Sequence, residues 1–191
     1  MTRRGAGGKK QGSCCGCLDR VLNKVTVAFP FTPLRVAMEK LKRILDPNKV
    51  VLNLAAQRNF DAIRELATVL LQDEVVPDQK RLIAALIRRE QQASTGIGKG
   101  VAVPHAHEDG IQRQLLAIGI SQAGIDFSAP DGQLVHIIAL LVTPLKHQKQ
   151  HMALLAALSQ RLQQEKVRQR LQQAADAAEI VDIFTDDSPP G

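Results

Sequence analysis

His105 is the residue whose type and surroundings most favour chemistry. It follows a short apolar strand candidate, residues 101–103, and Pro104, which stiffens the chain immediately before it. Neutral imidazole is a good nucleophile near pH 7 and can accept a phosphoryl group without a cofactor. A histidine on a rigid loop at a strand end is therefore a candidate nucleophile, and a surface histidine is the alternative.

His151 and Arg89 are the two candidates that could assist such a nucleophile. His151 shares one helical face with Leu154, Leu155, Leu158 and Leu162, which directs its ring towards the core at a helix start, where free N–H groups favour anions. The alternative is a core histidine that bonds a carbonyl group. Arg89 lies seven residues after Leu82 on the apolar stripe of an earlier helix, so its guanidinium emerges from the inward face.

The other three histidines have simpler interpretations. His107 forms an H-x-H pair with His105, and on an extended chain the two rings would share a face, as a metal pair requires. Two ligands do not make a site, and no cysteine or carboxylate stands at a fixed spacing to complete one. His136 is expected to be a buried, hydrogen-bonded side chain of a strand, and His147 a solvated side chain of a polar loop.

The glycine-rich segment 94–100 (STGIGKG) does not predict a nucleotide site. A dinucleotide fingerprint follows a strand and opens a helix, whereas this segment follows a helix and leads into a strand. A P-loop would have Ser or Thr after Lys99, but Gly100 stands there. We expect a tight connection with positive φ angles that lets the backbone pass close to another group.

The elements that must position these residues alternate between strand and helix patterns. Period and composition predict strands at 50–54, 101–103, 115–120 and 134–142, and helices at 59–71, from Asp78 onward, at 148–162 and twice within 166–184. Residues 134–142 are apolar at nearly every position, which is typical of a central strand covered on both faces. Asn59 is the expected cap of the first helix. This order favours an α/β sandwich with a mixed sheet.

Charge and cysteine content divide the chain near Met38. Residues 1–37 hold seven Lys or Arg, one acid and all three cysteines, so the formal charge of +6 belongs to this extension and the rest is neutral. We expect a disordered basic extension at 1–37, one domain at 38–186 and a disordered tail at 187–191. A misassigned start codon ahead of Met38 would explain the extension. Metal binding or lipidation of the thiols is the less favoured interpretation.

Composition also narrows the classes of partner and compartment. No apolar run approaches the roughly 18 residues that cross a bilayer. Residues 25–31 are too short and too interrupted for the apolar segment of a secretory signal, so we expect none. With a neutral, thiol-free main domain, we expect a cytoplasmic protein that neither binds nucleic acid nor inserts into a membrane.

Three segments resemble the type-2 enzyme IIA domains of the bacterial sugar phosphotransferase system, the mannitol, fructose and nitrogen-regulatory class. They are ILDPNKVVLNL at 44–54, RREQQASTGIGKGVAVPHAH at 88–107 and LLVTPLKHQKQHMALLAALSQRL at 140–162. The resemblance implies a mixed sheet flanked by helices. It also implies that His105 is phosphorylated, with His151 as the second active-site histidine and Arg89 as the arginine that assists it, and with no metal or cofactor.

The same resemblance implies two partners and leaves two functions open. A phosphoryl group would arrive from an HPr-like carrier and leave to a IIB domain; in regulatory members, phosphorylation instead controls binding to other proteins. We expect no fused IIB or membrane IIC segment, which favours the regulatory alternative. Ala106 and His107 depart from the family pattern, where Gly and then Lys or Thr are common.

Overall fold

The structure is a computed structural model and describes residues 32–72 and 78–186. The helices of this part are α1 (Thr32–Ile44), α2 (Asn59–Leu70), α3 (Gln79–Gln92), α4 (Gln148–Gln163), α5 (Glu165–Gln173) and α6 (Ala177–Thr185), with 3₁₀ turns at Pro47–Lys49 and Leu145–His147. The strands are β1 (Val50–Val51), β2 (Gly96–Gly98), β3 (Val101–Ala102), β4 (His105–His107), β5 (Leu115–Ile125) and β6 (Val135–Thr143).

The strands form one mixed sheet in the order β1-β5-β6-β3-β2. β6 pairs antiparallel with β5 and parallel with β3 and then β4 along its other side. Pro104 separates β3 from β4, yet its carbonyl oxygen still accepts a hydrogen bond from Leu141 N at 2.9 Å. The pairing of β4 places His105 opposite Leu141 and His107 opposite Thr143.

β6 is covered on both faces, as its apolar sequence predicts. Its side chains alternate between two clusters: Ile137, Ala139 and Leu141 enter one, and Ile138, Leu140 and Val142 enter the other. The first cluster is completed by α1 and α4 to α6, and the second by α2 and α3. The predicted fold class, a mixed sheet flanked by helices, is confirmed.

The glycine-rich segment is a hairpin and not the plain loop that its composition predicts. Gly96–Gly98 pairs antiparallel with Val101–Ala102, because backbone groups supply these bonds and the pairing needs no apolar side chain. The predicted positive φ angles occur at Gly98 (81°), Lys99 (56°) and Gly100 (74°). The close group is Asp131, whose carboxylate accepts a hydrogen bond from Lys99 N at 2.7 Å. This bond and a second one from the backbone of Gln133 lower the pKa of Asp131.

Elements depart from the sequence prediction at four other places. His105, expected on a loop, begins the short strand β4, because His105–His107 pairs with β6. β1 contains only Val50–Val51, although Leu54 N still reaches Ile120 O at 2.9 Å. β5 continues beyond residue 120 to Ile125, through a register irregularity opposite β6. Arg58, not Asn59, occupies the N-cap position of α2, without a side-chain capping bond, because an isolated bridge to Asp126 holds Arg58 extended.

α1 begins at Thr32, ahead of the predicted domain boundary at Met38. Ala37 and Leu41 are buried in the cluster shared with α4. Most of the predicted extension, including Cys14, Cys15 and Cys17, and the tail 187–191 lie outside the described residues, so both stay predictions. In the described part, every helix is too short or too polar to cross a bilayer.

Candidate active site

The candidate site lies where β4 and β6 end and α4 begins. β4 carries His105 and His107, Thr143 is the last residue of β6, and His151 lies in the first turn of α4. Arg89 comes from the last turn of α3, on the opposite layer of helices. The structure therefore brings together the three residues singled out from the sequence, His105, Arg89 and His151.

The ring of His105 is held in one tautomer by the backbone two residues before it. Nδ1 lies 2.8 Å from the carbonyl oxygen of Val103, and because a carbonyl only accepts, Nδ1 carries the proton in the neutral ring. Nε2 then keeps its lone pair, and Arg89 Nε donates to it at 3.2 Å. Burial, Arg89 and His107 together lower the pKa of His105 below its usual value, although the bond to Val103 opposes them.

Arg89 is fixed at two points. Besides its bond to His105, it donates from Nη1 to the carbonyl oxygen of Ala93 at 2.9 Å, which closes the end of α3. Leu82 and Leu86 of the same stripe are buried, as predicted from their spacing. The guanidinium is therefore presented to the imidazole by a well-packed helix.

Glu90 supports the loop that follows Arg89, and no sequence pattern singles it out. Its side chain is 5% exposed, and its carboxylate accepts bonds from Thr95 N at 3.2 Å and from Thr95 Oγ1 at 2.5 Å. A buried carboxylate with matched donors ties the end of α3 to β2.

His151 is buried against the nucleophile candidate. Its side chain is 3% exposed, and its ring centroid lies 5.3 Å from that of His105. The partner of Nδ1 is the hydroxyl of Thr143, 2.8 Å away, and not the carbonyl of the alternative interpretation. Burial, followed by the charges of His107, His105 and Arg89, lowers the pKa of His151 to about 4, so this ring is neutral near pH 7.

His107 belongs to the same cluster, together with Thr143, which the sequence analysis did not select. The His107 ring centroid lies 4.1 Å from that of His151, and His107 Nδ1 lies 3.1 Å from Thr143 Oγ1. Only the apolar run that ends at Thr143 hinted at a buried hydroxyl. Within residues 32–72 and 78–186, no group of three or more His, Cys, Asp or Glu is arranged to hold a metal ion.

The two remaining histidines, His136 and His147, make other contacts. His136 Nδ1 bonds Ser121 O at 2.9 Å, as predicted, but the residue is only partly buried. His147 is less solvated than predicted, because it closes a 3₁₀ turn and lies 3.3 Å from Gln114 Nε2.

A neutral imidazole whose lone pair is covered only by a guanidinium N–H, together with a second neutral imidazole, makes a site suited to an anionic electrophile. The lone pair can attack, and the two neighbours can donate to oxygen atoms that gain charge. Over residues 43–187 the chain matches the family model described as "Phosphoenolpyruvate-dependent sugar phosphotransferase system, EIIA 2". The chain belongs to this family. The family resemblance read from the three sequence segments is confirmed.

Relatives of two kinds share the IIA domain. The chain is 31% identical over 145 residues to the fructose-specific EIIABC component of Bacillus subtilis, covering 76% of this chain but only 23% of that relative. It is 29% identical over 149 residues to the nitrogen regulatory protein of Pseudomonas aeruginosa, covering 78% of this chain and 97% of the relative.

A solved structure agrees with the fold. The nitrogen regulatory protein IIA-Ntr from Neisseria meningitidis superposes with a TM-score of 0.72 at 27% identity, over 76% of this chain and 99% of that chain. The sheet and its two helix layers therefore have the fold of a IIA domain.

Proposed function

We propose that this protein is a cytoplasmic phosphoryl carrier of a phosphoenolpyruvate-dependent phosphotransferase system. In this proposal, Nε2 of His105 accepts a phosphoryl group from an HPr-like protein and passes it to a IIB-type acceptor. The observation that carries the proposal is the tautomer of His105: Val103 O binds Nδ1, which leaves Nε2 as the nucleophile beside Arg89.

The transfer exchanges one P–N bond for another. The Nε2 lone pair attacks phosphorus while the P–N bond of the donor phosphohistidine breaks, and that electron pair returns to the donor ring. The Nδ1 proton of His105 stays in its hydrogen bond to Val103 O, and the negative end of this carbonyl dipole stabilises the positive charge that the attacking ring acquires. No cofactor is required, because the donor bond is already activated.

Arg89 and His151 are proposed to bind the phosphoryl oxygens. Arg89 Nε occupies the Nε2 lone pair before the reaction, so this donor must move to an oxygen as the new bond forms. The ring centroid of His151 lies 5.3 Å from that of His105, and His151 is neutral, so one ring N–H can donate while no added positive charge repels Arg89. Both groups then compensate equatorial charge on the transferred group.

Family membership supports the proposed donor and acceptor. The Bacillus subtilis relative is named an EIIABC component, which indicates A, B and C components in one chain. This relative supports a IIB-type acceptor. An HPr-like donor supplies the phosphohistidine that the chemistry at Nε2 requires.

Phosphorylation in a purified system tests the proposal. The protein is incubated with phosphoenolpyruvate, enzyme I and HPr, and its intact mass is measured before and after acid treatment. We expect one acid-labile phosphoryl adduct, lost in His105→Ala. His136→Asn is the matched control, because the amide can still donate to Ser121 O, and it should retain the adduct; an adduct on His105→Ala would refute the assignment.

A nitrogen-regulatory role is the second candidate. It is supported by the similarity of the chain to the nitrogen regulatory proteins of Pseudomonas aeruginosa and Neisseria meningitidis. On this alternative the phosphoryl group, with about two negative charges, changes affinity for a regulatory partner. A phosphorylated protein that keeps its group when mixed with a purified fructose-type IIB domain would favour regulation, and rapid loss of the group would favour the carrier role.

A further inference from the structure

One hydroxyl group lies between two imidazoles at the candidate site. Thr143 Oγ1 is 2.8 Å from Nδ1 of His151 and 3.1 Å from Nδ1 of His107. The contact follows from the sheet, because β4 and β6 pair in parallel with His107 opposite Thr143. Thr143 is fully buried and His151 nearly so, so water does not compete freely for these bonds.

A threonine hydroxyl has one proton, which restricts the possible arrangements. If Thr143 donates to His151, the lone pair of His151 is on Nδ1 and its proton is on Nε2. If Thr143 instead accepts from His151, the proton is on Nδ1 and the lone pair is on Nε2. Only the first arrangement offers an N–H on the ring edge away from Thr143.

We propose that His107 is a positioning residue that selects the first arrangement. Its Nδ1–H donates to Thr143 Oγ1, Thr143 in turn donates to His151 Nδ1, and His151 is left with its proton on Nε2. This inference rests on the proposed function, since the Nε2–H group of His151 is then directed at an oxygen of the phosphoryl group on His105.

The surroundings of the two rings favour this direction. His151 is neutral and has a single proton to place, and a lone pair on Nε2 would repel an anionic group held at His105. His107 is less buried than His151 and contacts its ring at 4.1 Å. His107 can donate from Nδ1 in either its neutral or its protonated form, so the chain of bonds does not depend on its charge.

The tautomer of His151 can be measured without any transfer reaction. Long-range ¹H–¹⁵N spectra of the unphosphorylated full chain distinguish a ring protonated on Nε2 from one protonated on Nδ1. We expect Nε2–H for His151 in the wild type, and a mixture or the other tautomer in His107→Phe, which keeps an aromatic ring against His151 but has no donor. A wild-type His151 protonated on Nδ1 would overturn the inference.

Transfer rates with paired variants provide the second arm. His107→Phe should slow phosphoryl uptake from HPr about tenfold, the effect of one misdirected hydrogen bond. His107→Asn should recover most of the rate, because its amide nitrogen lies as many bonds from the backbone as Nδ1. Thr143→Val should resemble His107→Phe, and Thr143→Ser should resemble the wild type.

These results separate the two proposals. A wild type that takes up no phosphoryl group contradicts the proposed function, whereas the spectra still decide the tautomer. A wild type that is phosphorylated, with equal rates and unchanged His151 spectra in His107→Phe and His107→Asn, overturns the role of His107 alone. If Thr143→Val fails to fold, the more accessible His107 variants still decide the question.

Discussion

Arg89 contacts the candidate nucleophile and the end of its own helix at the same time. Its Nε bonds His105 Nε2 and its Nη1 bonds Ala93 O. Lysine cannot reproduce this planar fork, although it keeps the charge. We therefore expect Arg89→Lys to slow phosphoryl uptake about a hundredfold with an unchanged circular dichroism spectrum.

The neighbouring Arg88 provides the control for this prediction. It is exposed on the same turn of α3, and Arg88→Lys should leave the uptake rate unchanged. Equal rates for Arg89→Lys and the wild type, measured by stopped-flow or quench methods, would remove the guanidinium fork from the site.

The buried His151 makes the free energy of unfolding depend on pH. Its pKa is about 4 in the folded protein and near 6.5 in the unfolded chain. As pH falls from 6.5 to 4, the unfolded state binds a proton that the folded state does not, so stability is lost across this window. His151→Gln removes this titration, and its stability should depend less on pH.

Urea unfolding of the wild type and His151→Gln at pH 7 and pH 4.5 measures this effect. The free energy of unfolding of the wild type should fall relative to that of the variant at the lower pH. Carboxylates titrate in both proteins, so the difference isolates His151. A difference that is the same at both pH values contradicts the assigned pKa.

Spacing within one helix explains how much of the site the sequence could predict. His151 and Arg89 each lie on the apolar stripe of their own helix, so their inward direction follows from a 3.6-residue period. His107 and Thr143 lie 36 residues apart in the chain and are brought together by the register between β4 and β6. Strand register depends on tertiary pairing, so the local sequence could not predict that contact.

At the scale of elements, Glu90 connects the end of α3 to β2. Glu90→Ala would leave the buried Thr95 donors without a partner, and we expect a loss of about 1–3 kcal/mol in the free energy of unfolding. Because Arg89 is the preceding residue, phosphoryl uptake should slow as well. Gln91→Ala, on the exposed next position, should change neither quantity; a stable, fully active Glu90→Ala would show that this connection is dispensable.

The major elements could be predicted because their patterns are long and periodic. The central strand β6 and helices α2 to α4 follow directly from apolar runs and helical stripes. The hairpin strand β2 and the second half of β5 could not, since glycine-rich and polar strands pair through backbone groups and leave no side-chain period. The cap of α2 depends on a distant bridge to Asp126, which is a tertiary contact.

At the scale of the whole molecule, α1 lies almost entirely ahead of the family match at residues 43–187. Leu41 is nevertheless 2% exposed and packs in the same cluster as α4. We expect Leu41→Ala to cost about 3 kcal/mol in the free energy of unfolding. This result would establish α1 as part of the domain.

Val36 provides the comparison on the same helix. Its side chain is 51% exposed, and Val36→Ala should change stability by no more than about 0.5 kcal/mol. Chemical denaturation of both variants measures the two effects. A Leu41→Ala variant as stable as Val36→Ala would mean that the packing of α1 does not contribute to the stability of the domain.

The two groups that flank His105 belong to opposite helix layers: Arg89 to α3 on one face of the sheet, and His151 to α4 on the other. A phosphoryl group bound by both would bridge those layers across the sheet edge. Phosphorylation should then slow amide hydrogen exchange at the end of α3 and at the start of α4 together. Modification of one ring would thereby stabilise two segments that are far apart in the chain.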